Sequence, residues 1–116
     1  MSDDYRAFDD APAIRRAILA NTLTALQSKY PISNERYTLR LADPQYRAPK
    51  DFTPAEQKQA ILRGRTLGHN IVGTWELVDN ATSKVLDRSP RQLIMQVPYM
   101  TDRGTVIFNG SEYTIA

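Results

Sequence analysis

From His69 the hydrophobic period changes to two. Ile71, Gly73, Trp75 and Leu77 fall on one face, and Val72, Thr74, Glu76 and Val78 on the other, as in a β-strand. Residues 79–83 read as a turn, and Lys84-Val85-Leu86-Asp87 returns to complete a hairpin. Ser89-Pro90 breaks it. Residues 91–97 read as the next strand, with Leu93, Met95 and Val97 inward and Pro98 at its end. Thr101-Asp102-Arg103-Gly104 reads as a turn. Thr105-Val106-Ile107-Phe108 and Ser111-Glu112-Tyr113-Thr114-Ile115 then flank Asn109-Gly110. Asn-Gly between two apolar runs favours a type I′ turn, because both central residues need positive φ.

Ahead of this region the helical period dominates. Ile14, Ile18, Leu19, Leu23, Leu26 and Tyr30 recur at three- and four-residue spacing, which predicts an amphipathic helix over residues 11–29. Asp10 is placed to cap it, Pro12 sits early in it, and Pro31 stops it. Arg15 and Arg16 fall on its polar side. Residues 36–41 alternate and predict a strand with Tyr37, Leu39 and Leu41 inward. Pro44, Pro49 and Asp51 make residues 43–52 read as a loop. Thr53-Pro54-Ala55-Glu56 has the residues of a capping box with Pro in the first turn. The short helix that follows ends at Gly64 or Gly68. The fold class expected is therefore α+β: an N-terminal amphipathic helix, a second short helix, then an antiparallel sheet of β-hairpins. Residues 1–10, with Asp3, Asp4, Asp9 and Asp10 around Tyr5 and Phe8, read as an acidic arm, and residues 11–116 as a single domain. The apolar strand at 113–115 either docks in the sheet or belongs to a longer chain.

Composition narrows the chemistry. The chain has 116 residues, 41% of them hydrophobic and 24% charged, as in an ordinary globular domain. Fifteen basic against thirteen acidic residues leave +2, without the dense basic stripe of a protein that lives by phosphate neutralisation. Zero cysteines exclude disulfides and thiolate metal sites, and one histidine excludes any two-histidine site. No apolar run reaches the roughly 18–20 residues of a membrane span, and the acidic N-terminus is unlike a secretory signal. The chain is expected to stay in the cytosol or particle that makes it, and not to be secreted.

Catalytic patterns are weak. No Gly-x-Ser-x-Gly elbow is present. His69 reads as a hydrogen-bonded structural histidine before a catalytic base. Glu76, Asp79 and Asp87 approach one another across the predicted hairpin, but without a calcium-loop pattern they read as solvated charges. Gly64-Arg65-Thr66-Leu67-Gly68 follows a helix and lacks the Gly-Lys-Ser/Thr of a phosphate loop, so it reads as a helix cap. No cofactor is expected, and no activity for the isolated chain.

Residues 97–113, Val-Pro-Tyr-Met-Thr-Asp-Arg-Gly-Thr-Val-Ile-Phe-Asn-Gly-Ser-Glu-Tyr, resemble a stretch near the N-terminus of the β subunit of multisubunit DNA-directed RNA polymerases. That family has a Pro-x-Met-Thr turn, then Gly-Thr-Phe-Ile-Ile-Asn-Gly, then Glu. Pro98, Met100, Thr101, Gly104, Thr105, Ile107, Asn109, Gly110 and Glu112 match in order. Tyr113 after Glu112 looks closest to the β-like proteins of tailed bacteriophages. The family's following Ser-Gln-like run is missing before Ala116, and its magnesium-binding aspartates lie on the other large subunit. No catalytic, cofactor or metal residue carries over, and the matching residues carry structural roles.

The resemblance implies a non-catalytic β-like fragment of a phage-type polymerase, serving transcription as an assembly or nucleic-acid-supporting component. An alternative is a virion adaptor protein built on a polymerase-derived domain; an unrelated α+β binding domain is a third. In each case protein partners are expected, nucleic acid is touched at most indirectly, and no membrane is involved. Tyr5, Phe8, Tyr30, Tyr46, Phe52 and Tyr99 are the expected interface aromatics. The first helix and the 104–116 hairpin are the expected contact surfaces.

Overall fold

The computed structural model describes residues 10–114. The helix α1, Ala11–Lys29, has the bounds that its apolar period predicts. Its first helical hydrogen bond runs from the Ile14 amide to the Asp10 carbonyl at 3.2 Å. Helix α2, Pro54–Leu62, begins with the complete capping box. The Glu56 amide donates to Thr53 Oγ1, and the Thr53 amide donates to Glu56 Oε1. Its end is a Schellman motif. Arg65 N–H donates to the Ala60 carbonyl, Gly64 N–H to the Ile61 carbonyl, and Gly64 takes φ 67°. Gly64, not Gly68, therefore ends the helix.

The strands are β1 (Ile32–Ser33), β2 (Tyr37–Arg47), β3 (Gly68–Asp79), β4 (Val85–Arg88), β5 (Gln92–Pro98), β6 (Thr105–Phe108) and β7 (Ser111–Thr114). The larger sheet runs β1-β2-β3-β4, with β5 also paired to β3; β6 and β7 form a separate two-stranded sheet. Helices followed by antiparallel hairpins make the α+β class expected from sequence.

Three local expectations are corrected. First, residues 43–47 are strand, not loop. A register shift between Ala42 and Gln45 accommodates Pro44, with Asp43 at φ 49°. A bulge needs no N–H at that point, so proline is tolerated there. Second, Leu93 is 58% and Met95 38% exposed; only Val97 of the expected trio is buried. It is Ile94 that packs inward, because a Cβ on Gly73 would meet its Cγ1 at 3.4 Å and Leu41 Cδ1 at 3.0 Å. Third, β1 is only two residues long, too short to leave a period in the sequence.

The described residues group into two compact units. One draws on residues 10–20, 48–69 and 97–114, and its core is Ala60, Leu67, Tyr99 and Ile107 with Phe52 packed against it. The other draws on Asn21–Arg47 and Asn70–Gln96. There β3 pairs with β2, Leu39 opposite Leu77 and Leu41 opposite Trp75, and Tyr30 packs edge-on against Trp75 at 5.0 Å. The acidic arm, apart from Asp10, and Ile115 lie outside the described residues.

Candidate functional site

The segment with the polymerase resemblance folds as one hydrogen-bonded piece of the first unit. Pro98 ends β5, and Met100 and Thr101 are buried beyond it. A turn follows, closed by Gly104 N–H donating to the Thr101 carbonyl. Strands β6 and β7 then pair Thr105 with Thr114, Val106 with Tyr113, Ile107 with Glu112 and Phe108 with Ser111. Asn109 and Gly110 form the two-residue loop with φ 50° and 82°, the pair of positive angles that a type I′ turn requires.

The inner face of this hairpin is polar at one end. Thr105 Oγ1 donates to Glu112 Oε2 at 2.5 Å, and the Thr101 and Thr105 hydroxyls lie 2.6 Å apart. Since the Thr105 proton is committed to the carboxylate, Thr101 must be the donor between the two hydroxyls. Arg103 closes the network, with Nε at 2.9 Å and Nη2 at 2.7 Å from Glu112 Oε2 and Nη2 3.1 Å from Gln57 Oε1. The Thr105 hydroxyl and then the Arg103 guanidinium hold the Glu112 carboxyl below the usual carboxylate range. The tip of the hairpin is fixed to the end of α2. Asn109 N–H donates to Thr66 Oγ1 at 3.1 Å and Gly110 N–H to the Arg65 carbonyl at 3.0 Å.

Arg15 is the site's unexpected member. It is 6% exposed, not on a solvated helix face. Its Nη1 donates to the Met100 carbonyl at 3.1 Å and to Asp102 at 2.6 Å; Nε and Nη2 reach Asp51 at 3.3 and 3.2 Å. The guanidinium lies 4.8 Å from the Tyr99 ring centroid. Burial opposes its charge, but its hydrogen bonds to Asp102 and Asp51 outweigh this and its pKa is raised. A weak signal was present in the sequence: Arg15 is four residues after Ala11 and three before Ile18, on the edge of the apolar stripe. Gln57 and Arg103 left no comparable signal.

His69 is buried, as expected of a structural histidine, but among the described residues it is rings and not side-chain hydrogen bonds that hold it. It stacks on Phe52 at 5.0 Å and meets Tyr99 edge-on at 5.8 Å. Burial lowers its pKa, and the nearby Asp51 charge only partly opposes this. The unfolded chain thus takes up a proton first as pH falls through about 6.5, so stability is full above that pH and declines below it. Glu112 and Glu76, both with lowered pKa, extend the decline below about pH 5. His69→Phe keeps the aromatic volume and removes the upper step. Its melting midpoint should stay level between about pH 7 and 5.5 while the parent's falls, as read by calorimetry across that range.

The interface aromatics are also redistributed. Tyr99 is buried, and Phe52, Tyr30 and Tyr46 are half-buried; Tyr5 and Phe8 lie outside the described residues. Exposure falls instead on Phe108, at 54%, and Tyr113, at 53%. The β6–β7 register puts both on the hairpin's outer face with Val106, opposite the face of Ile107 and Glu112. Glu76, Asp79 and Asp87 do not gather. Register places Asp79 and Asp87 on one face of β3 and β4, and Glu76 on the other. Among the described residues no cluster of three or more metal-ligating side chains forms. No protein-family model matches the chain, and no curated protein sequence matches it.

Proposed function

We propose that this chain is a non-catalytic, β-subunit-like component of a phage-type multisubunit RNA polymerase, working as an assembly part. One observation supports this most directly. The residues that carry the resemblance build a hairpin anchored on one face and exposing two large aromatics on the other. Thr101, Thr105 and Glu112 tie down the inner face, while Phe108 and Tyr113 stand exposed on the outer one. Large aromatics are enriched at protein interfaces, where they bury area at low entropic cost. A tight hairpin fixed at its base and tip presents them already ordered.

The test is retrieval from infected-cell lysate with the tagged chain. Recovery of a large polymerase subunit, lost in the Phe108→Ser/Tyr113→Ser double variant, is the expected result. Recovery of portal and tail proteins in its place would favour the virion adaptor reading. A clean monomer that retrieves neither would defeat both.

A further inference from the structure

In the second unit, three adjacent strands bring two arginines onto one buried carboxylate. Arg40 on β2, Glu76 on β3 and Arg88 on β4 are direct cross-strand neighbours. The Glu76 side chain is 4% exposed, and each of its oxygens has its own guanidinium. Arg40 Nε donates to Oε1 at 2.7 Å, and Arg88 Nη2 pairs with Oε2. The arginines themselves reach solvent, at 49% and 64% exposure. Each spends one nitrogen on Glu76, and its other N–H groups point to no protein acceptor among the described residues.

An arginine on a surface normally samples many rotamers, and fixing it on a ligand costs entropy. Here the buried carboxylate has already fixed two of them side by side. The remaining donors form a double fork, which suits the oxygens of a phosphate.

The same sheet face continues this pattern. Opposed residues share a face, so Arg47, opposite Asn70, lies on the side of Val72, Thr74 and Glu76. It is exposed and makes no ion pair among the described residues. Six residues of β3 separate Asn70 from Glu76, about 20 Å at about 3.3 Å per residue. Three guanidinium charges thus share this side with Glu76; Asp43, in the bulge between Arg40 and Arg47, accepts from Gln45 of the same face at 2.9 Å and pairs with Arg91 at 3.6 Å, while Asp79 and Asp87 belong to the opposite side. The chain's small net charge conceals this segregation.

We propose that this face binds the phosphate backbone of a polynucleotide directly, Arg40 and Arg88 clasping one phosphate and Arg47 another further along. The separation favours a polyanion, since a single small anion reaches only one end. This inference stands apart from the assembly reading, because it needs no partner subunit.

Fluorescence anisotropy of the full chain with a labelled single strand of about 20 nucleotides, and with its duplex, tests it. Binding should weaken with salt at a logarithmic slope of about −1.4 for the single strand and about −1.8 for the duplex, as two phosphate contacts require. Arg47→Gln and Arg88→Gln should each weaken binding about fivefold and flatten the slope, while Arg63→Gln, on the other unit, changes it less than about twofold. Circular dichroism checks each fold, and if Arg88→Gln unfolds, Arg47→Gln decides. No binding at low salt, equal loss in Arg63→Gln, or unchanged affinity in Arg47→Gln would overturn the proposal. So would complete displacement of the oligonucleotide by millimolar inorganic phosphate, which would leave only a small-anion site.

Discussion

Gly110→Val should lower stability by about 3–4 kcal/mol, more than the turn alone accounts for. Gly110 has φ 82°, which a β-branched residue adopts only at a cost of about 1–2 kcal/mol. The surroundings add to this. A Cβ there would lie 2.7 Å from Gly64 Cα and 3.0 Å from the Ile61 carbonyl oxygen. Both are backbone atoms of the α2 terminus, and neither swings aside as a flexible side chain would. Gly64 is the natural control. Its φ is 67°, yet a Cβ on it meets nothing within 4 Å. Gly64→Ala should therefore cost only about 1 kcal/mol. At roughly 3–5 °C per kcal/mol for a chain of this size, the valine variant should melt more than about 10 °C lower. Equal melting midpoints for the two variants would mean that the hairpin tip does not dock on the helix end.

The same contact shows what sequence patterns reveal and what they hide. Asn109-Gly110 and Thr53-Pro54-Ala55-Glu56 are local devices: the residues that define each one lie within four positions, so hairpin and capping box can be read directly. The helix α1 is legible for a similar reason, since its stripe repeats over five turns. Docking of Gly110 on Arg65 joins residues 45 positions apart, and no local rule encodes it. Pro44 misleads because proline breaks a regular ladder, while a bulge removes the hydrogen bond that proline lacks. Leu93 and Met95 mislead because alternation gives a face but not which face is covered. The candidate site was half legible. Thr101, Thr105, Asn109, Gly110 and Glu112 were readable as a hairpin, but the arginines that complete the polar sites were not. Charged residues look like solvent residues until their partners are known.

Arg15 gives the second large effect, and the exposure of its partners sets the size. Breaking a buried ion pair is most costly when the surviving charge stays buried, at about 3–5 kcal/mol. Here the survivors are Asp51 and Asp102, whose side chains are 66% and 78% exposed, so water takes the place of the guanidinium. What is lost is the donor to the Met100 carbonyl and the packing of the arginine on Tyr99. Arg15→Met keeps much of the stem packing and should cost about 1–2 kcal/mol, mainly for the orphaned carbonyl. Arg15→Ala also opens space beside Tyr99 and should cost about 3–4 kcal/mol. Asp51→Asn and Asp102→Asn, by contrast, should each stay within about 1 kcal/mol. Urea unfolding of the four variants separates these contributions. If either aspartate variant cost as much as Arg15→Ala, the ion pairs themselves would be holding helix α1 to the 97–104 segment. If Arg15→Met matched the parent, the bond to Met100 would contribute nothing and packing alone would account for the burial of Arg15.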